Sequence, residues 1–515
     1  MCIRLGAERC LCPEMVELVN TVETIDAVPH NSAARRSLYA ARVKIHPKRA
    51  SGYFRNLKWL VMLVTLGIYY LTPWLRWDRG AYAPDQAVLV DLAHRRFYFF
   101  FIEIWPQEFY YVAGLLIMAG IGLFLVTSTI GRAWCGYTCP QTVWTDLFLV
   151  VERWIEGDRN ARIKLDAAPW SIDKAWKRVS KNILWLLIAV ATGGAWIFYF
   201  ADAPTLARQF IAFEAPAVAY ATVGVLTATT FVLAGYLREQ VCTYMCPWPR
   251  IQAAMLDEDS LVVTYNDWRG EPRSRHRKKL QAAGETAGDC VDCNACVAVC
   301  PAGIDIRDGQ QLECITCALC IDACDSVMEK VGSPKGLISY STLKTYEAHK
   351  AGGLAVIGWR AFLRPRTFVY GAIWLAVGLA MFYSLLHRER LDVSVLNDRN
   401  PLYVRLSDGS IRNGFTVKIL NMEQRPRSFV LSAEGLPGSS MTMTGGDGAP
   451  LHEFTIDVEA DKLRAIKVYV AVPPLRLAGE QVAFEFKVVE QASLTTPETR
   501  SIPAFFHAPP QETTP

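Results

Sequence analysis

The chain is 515 residues long, enough for several domains, and 51% of it is hydrophobic, with 15 Trp. That is rich for a water-soluble protein and suits one embedded in lipid, while a formal net charge of only +4 makes no case for nucleic acid as a partner. Fifteen cysteines, none in the last third of the chain, point to metal ligands in a reducing compartment rather than to disulfides.

The opening MCIRLGAERCLCPE carries Cys2, Cys10 and Cys12 at spacings that match no ligand pattern, and Met15 is an alternative start. No cleavable signal peptide precedes the first apolar run, which begins late and has full length. Residues 1–56 therefore read as a cytoplasmic segment. Five apolar stretches then approach the roughly twenty residues a helix needs to cross a bilayer. They are Leu57–Leu75, Phe109–Ile130, Asn182–Ala201, Ala217–Leu237 and Thr367–Leu386, the first four lying within 57–237.

Orientation follows from the cations beside the spans. Arg35, Arg36, Arg42, Lys44, Lys48, Arg49, Arg55 and Lys58 precede the first span, and Arg153 to Lys181 supply eight more after the second, whereas Arg208 stands alone between the third and fourth. With an odd number of spans, the N-terminus is expected inside and the C-terminus outside.

The second span runs into WCGYTCP and the fourth into VCTYMCP, so Cys135, Tyr137, Cys139 and Pro140 align with Cys242, Tyr244, Cys246 and Pro247. A repeated span plus motif suggests an internal duplication whose copies face each other. Cysteines at i and i+4 would share one face of a helical turn, and each proline suits the first turn of a new amphipathic helix, DLFLVVERW or IQAAML, lying at the membrane edge. If the copies meet, four thiols form a site for a soft metal such as Cu(I) or for a redox reaction. The bland reading makes each thiol a small buried hydrophobe. Copper, another cluster and no metal all stay open.

Residues 238–366 form a cytoplasmic region with a ferredoxin-like domain at about 280–330. There Cys290, Cys293, Cys296 and Cys300 follow C-x-x-C-x-x-C-x-x-x-C, and Cys314, Cys317, Cys320 and Cys324 repeat it. This is the ligand pattern of a bacterial two-cluster ferredoxin, in which the fourth cysteine of each run reaches the other cluster. One [4Fe–4S] cluster would take Cys290, Cys293, Cys296 and Cys324, the other Cys314, Cys317, Cys320 and Cys300. Zinc sites use two ligand pairs across a longer loop and give no reason for a third cysteine at the same step. Cys324 precedes Asp325 where Cys300 precedes Pro301, so the second chain exit is expected to differ in shape or potential.

The basic run Arg273–Lys279 is a candidate dock for an acidic electron donor, although such runs usually mark topology and lipid contact. His94, His349 and His387 lack companion ligands, and neither a covalent haem motif nor a dinucleotide fingerprint occurs. Residues 392–508 hold short alternating runs such as Ile466–Val470 and Phe484–Val488, broken at Asp408-Gly409, Asn413-Gly414 and GLPGSS, which predicts a β-sandwich of roughly seven strands. Residues 509–515 read as a disordered tail.

The order GRAWCGYTCPQTVWTDLFLVVER, CTYMCPWPRIQAAMLD, CVDCNACVAVCPAGIDIRDGQQLECITCALCIDACD and DRNPLYVRLSDGSIRNGFTVKILN resembles the cytochrome c oxidase accessory family called CcoG, FixG or RdxA, from about Ser37 to Ala508. The resemblance implies a polyferredoxin of the bacterial inner membrane: a five-helix bundle, an inserted two-[4Fe–4S] domain in the cytoplasm and a C-terminal immunoglobulin-like domain in the periplasm. It also implies a reductase that turns Cu(II) into Cu(I) for cbb3-type oxidase, with Cys135, Cys139, Cys242 and Cys246 matching the family's C-x-x-x-C-P pairs. Its expected partners are membrane lipid, a cytoplasmic electron donor, copper ions and oxidase subunits or assembly factors. Two alternatives stand beside this reading: a quinol-linked subunit similar to the NapH and NosR membrane ferredoxins, and a non-redox assembly scaffold.

Overall fold

A computed structural model describes residues 44–80, 83–277, 286–358, 361–423, 425–444, 450–473, 479–491 and 497–509, with short pieces at 24–27, 29, 280 and 283–284. Cys2, Cys10, Cys12, Met15, Arg35, Arg36, Arg42, Lys278, Lys279 and residues 510–515 lie outside the described residues. The chain forms two compact units, residues 1–75 with 86–381 and residues 76–85 with 382–515.

In the first unit, α1 (Tyr53–Leu71) is the first of five helices long and apolar enough to cross a membrane. A three-stranded antiparallel meander follows, β1 (Val88–Asp91), β2 (Arg96–Phe99) and β3 (Ile102–Ile104), which the sequence pattern did not suggest. Next come α2 (Tyr110–Ile130), α3 (Ala133–Tyr137), α4 (Pro140–Glu156) and α5 (Ile172–Ile197). The apolar run had placed the start of the third span at Asn182, but the helix begins ten residues earlier. Ser171 caps it by accepting from the Lys174 N–H, and Lys181 pairs with Glu156 at 2.9 Å. The fourth crossing starts as α6 (Ala217–Thr230) and finishes in π-helical turns, Phe231–Leu237 and then Val241–Met245. A Cβ on Gly193 of α5 would stand 2.9 Å from the Val223 carbonyl of α6, so these backbones meet too closely for a larger residue.

After α7 (Trp248–Met255), strand β4 (Val262–Tyr265) pairs antiparallel with β5 (Ile338–Ser341), and between them lie the cysteine runs with α8 (Ala295–Val299) and α9 (Leu319–Val331). The ferredoxin-like fold thus extends on both sides of the predicted 280–330. Its core and the membrane-edge motif are continuous: Cys135 belongs to the same buried cluster as Cys290, Cys296, Cys317 and Cys324.

A polar clamp holds this module to the helices. The Asp322 carboxylate, between Cys320 and Cys324, accepts from the Phe54 and Arg55 N–H groups at 3.1 and 2.7 Å and so caps α1. Arg55 of α1 in turn donates from Nη1 to both Asp146 carboxylate oxygens of α4 at 3.0 and 2.9 Å, joining the two helices. The fifth long helix is α10 (Pro365–Leu386), whose Trp374 indole N–H donates to the Met118 carbonyl of α2 at 3.1 Å.

The second unit is a sandwich with nine strands among the described residues: β6 (Leu391–Asn397), β7 (Val404–Arg405), β8 (Ile411–Asn421), β9 (Arg427–Glu434), β10 (Ser440–Met443), β11 (Glu453–Val458), β12 (Leu463–Val472), β13 (Gln481–Gln491) and β14 (Thr499–His507). One sheet runs β10-β12-β8-β6 with β7 on β8, and the other β11-β9-β13-β14. Asn413-Gly414, expected as a turn, instead lies within β8, where Asn413 bonds His507 of the other sheet. Alternate residues of β8, β12 and β13 point inward, and Phe415, Phe484 and Phe486 meet edge-on at 5.0–5.5 Å.

Candidate electron-transfer site

Each cysteine run folds into a loop with the same backbone signature. Asp292 and Asn294 flank Cys293 at φ 49° and 57°, and Thr316 and Ala318 flank Cys317 at φ 56° and 59°. Left-handed conformations are strained for such residues, above all for β-branched Thr316, and persist only where the surroundings demand them. Alternating hands turn successive N–H groups toward one concavity, the nest found at anionic cofactors and iron–sulfur sites. Backbone N–H groups of Ala295, Thr316 and of Ile304 and Ala302 bond the sulfurs of Cys293, Cys314 and Cys300.

The thiols fall into two crossed groups. Burial pushes Cys300 up to about 12, with the Cys317 and Cys314 sulfurs adding to it. Burial likewise raises Cys324, and there the contributing neighbours are Cys296, Cys293 and Cys290. Eight cysteines gathered over N–H-lined loops, four of them buried and four half-buried, fit anionic iron–sulfide cubes that take thiolate ligands. The two exits differ: Pro301 lines a small cavity beside Cys242, whereas Asp325 accepts from the Gly336 N–H at 2.8 Å.

At the membrane edge the four remaining described cysteines converge from the two motif copies. Burial raises Cys135 to about 11, with Cys139 and Cys246 among its neighbours, and raises Cys242 to about 12 beside Cys139, Cys135 and Cys246. The i, i+4 expectation needs correction. Cys135 lies in α3, but Cys139 is the extended residue capping α4, and Cys246 likewise leaves its π-helix extended. Pro140 opens α4 at its first position, whereas Pro247 is itself the cap of α7.

The copies meet directly, since Cys135 Sγ donates to Gln252 Oε1 at 3.0 Å and Gln141 donates to the Leu233 carbonyl at 2.9 Å. Their tyrosines are not equivalent, with Tyr137 buried and Tyr244 exposed. Among the described residues, no three His, Cys, Asp or Glu side chains close on a single metal ion.

The two thiol systems are in contact. Tyr137 Oη donates to the Cys317 carbonyl at 3.1 Å, and a Cβ on Gly136 would stand 2.7 Å from the Ile315 carbonyl and 3.0 Å from Cys317 Cα. Tyr340 Oη bonds the Thr316 carbonyl at 2.8 Å, and Arg132 bonds the Leu312 carbonyl. A cavity of about 50 Å³ is lined by Cys242 on one side and Pro301, Ala302, Glu313 and Ile315 on the other. Gly136, Gln252, Asp322 and Tyr340 carried no motif; only their closeness to cysteines in the sequence hinted at the first three.

The weaker candidates lie elsewhere. Arg275 and Arg277 pair with Asp292 and Asp289 of the first cysteine loop, so they face this module as much as any donor. His94 pairs with Asp91, His349 stacks on Trp268 and His387 on Tyr383.

Three family models match the chain: a 4Fe-4S binding domain at residues 112–158, a 4Fe-4S dicluster domain at 237–343 and an IG-like fold at the C-terminal of FixG at 381–509. The nitrogen fixation protein FixG of Rhizobium meliloti is 63% identical over 500 residues, covering 92% of this chain and 95% of that one. Proteins RdxB and RdxA of Cereibacter sphaeroides are 56% and 53% identical, over 84% and 85% of this chain and 90% and 91% of theirs. With its two ferredoxin loops, five long apolar helices and terminal sandwich, the chain belongs to the FixG/RdxA family of multi-pass membrane iron–sulfur electron-transfer proteins.

Proposed function

We propose that the protein reduces Cu(II) to Cu(I) for the assembly of a cbb3-type cytochrome c oxidase, and that Cys135, Cys139, Cys242 and Cys246 bind the copper substrate. It would sit in the bacterial inner membrane with the ferredoxin module in the cytoplasm and the sandwich in the periplasm. Cys290, Cys293, Cys296 and Cys324 would hold one [4Fe–4S] cluster, and Cys314, Cys317, Cys320 and Cys300 the other. When bound, the clusters supply single electrons, replenished by a cytoplasmic donor. One electron converts each Cu(II) to Cu(I), and soft sulfur ligands favour the product state.

The observation that carries this reading is the seating of the Cys135–Cys139 turn on the Cys314–Cys317 loop through Gly136 and Tyr137. A substrate metal must also leave. The four neighbouring thiols supply soft ligands for it. Replacing Cys139 and Cys246 with Ser is expected to abolish cupric reduction by the full-length protein while its iron content and visible absorbance stay unchanged. Reduction at the wild-type rate would reject the site, and quinol oxidation by the same preparation would favour a respiratory role.

A further inference from the structure

A cavity of about 350 Å³, large enough for a small ligand, opens where α5 and the fourth crossing reach their cation-rich ends. The copper reading makes no use of it. Its wall includes Lys44, Arg178, Lys181 and Arg238 with Trp185 and Tyr236. The indole of Trp185 faces two cations, Lys181 at 4.7 Å and Arg238 at 5.3 Å from the ring centre.

Arg238 is held at a cost. Its backbone is left-handed at φ 43°, it ends the π-helical turns, and its side chain is only 7% exposed. Nε donates to the Gly235 carbonyl at 2.8 Å and Nη2 to Glu152 Oε2 at 2.9 Å, but Nη1 is buried without a partner. A buried guanidinium N–H left unbonded calls for an acceptor.

The charges around the cavity also do not balance. Among the described residues the wall carries four cations, Lys44, Arg178, Lys181 and Arg238, and two carboxylates, Glu152 and Glu239, with Glu156 and Asp166 pairing with Arg178 and Lys181 behind them. His46 adds no charge at neutral pH, since burial takes it down to about 4. The described wall itself is net positive. Burial and then the nearby Arg178 lower the Lys44 ammonium, which marks a place short of negative charge.

We infer that this cavity binds a phosphate oxyanion, the singly charged phosphodiester of a lipid headgroup suiting both the charge and the position at the ends of two apolar helices. Arg238 and Lys44 supply the cationic contacts, and Trp185 and Tyr236 form the apolar shoulder at headgroup depth. The inference is independent of copper chemistry.

Native mass spectrometry of the full-length protein in neutral detergent tests it with short-chain phosphatidylglycerol, phosphatidylcholine, inorganic phosphate and decylubiquinone as separate probes. Phosphatidylglycerol is expected to bind at one site in preference to phosphatidylcholine. Arg238→Gln should weaken it roughly tenfold, the loss of a charged hydrogen bond. Because Arg238 also supports Glu152, Lys44→Gln is the second variant: Lys44 is 44% exposed and pairs with Asp166, and its loss should weaken binding by about threefold. Inorganic phosphate bound with the same sensitivity, in the absence of lipid binding, would keep the oxyanion chemistry and assign a soluble source. Binding that both variants leave unchanged, no binding of either phosphate probe, or occupancy by the quinone alone would overturn the inference.

Discussion

The ferredoxin module and the terminal sandwich solve burial in opposite ways. The sandwich fills its core with side chains that need nothing further: Phe415, Val417, Val468, Val470, Phe486 and Val488 are fully buried, and no cysteine lies among them. In the module, by contrast, Cys290, Cys296, Cys317 and Cys324 occupy core positions with Cys293 and Cys320 packed against them, and left-handed Thr316 and Ala318 hold a loop shape that packing alone would not choose. One region is finished by its own sequence; the other keeps places for groups that protein atoms do not supply. Electron-transfer chemistry belongs in the second.

Substitutions can break that contrast. The largest effect is expected from Cys317→Ser, which should lower bound iron by about half and weaken the visible absorbance, while hydrogen exchange in β8, β12 and β13 stays unchanged. The converse is Arg427→Ala in the sandwich. Arg427 grips Glu490 at 2.7 and 2.9 Å and Glu498 at 2.8 Å with almost no exposure of its own, so its loss strands the buried Glu490 carboxylate and should cost about 3 kcal/mol. Faster exchange in β9 and β13 with unchanged iron content would separate the two regions; a loss of iron would mean that they stand or fall together.

A smaller effect sharpens how the helices hold the module's neighbour α4. Burial alone would raise Glu152, but Arg238, Arg162 and Lys181 hold it down at about 2. A carboxylate depressed in the folded state stabilises above its unfolded value near 4.5, and that contribution fades as pH falls toward 2. Protection of α4 against hydrogen exchange should therefore decline over that interval by about 3 kcal/mol, and Glu152→Gln should flatten the decline. The smallest expected effect is Lys487→Ala. Its pair with Glu434 at 2.9 Å is exposed on both sides, and a change beyond about 0.5 kcal/mol in sandwich stability would contradict the surface reading.

What could be read early was whatever has a period or a fixed spacing. Apolar length announced five crossings because backbone hydrogen bonds in lipid must be met within the helix. Alternation announced the sandwich because strand side chains change face at every residue. The cysteine spacing announced the ferredoxin loops because one local turn must present three sulfurs to a common centre.

Tertiary structure decided the rest. Charge ended the apolar run at Asn182, yet α5 begins at Ile172 because Lys174 donates to the Ala168 carbonyl just before the helix and Lys181 pairs with Glu156 of α4. That Cys135 meets Gln252, that Gly136 must lack a side chain beside Ile315, and that Asp322 caps α1 are contacts between residues over a hundred positions apart. No local pattern encodes them, because they depend on which surfaces are pressed together once the helices and the cysteine loops share one core.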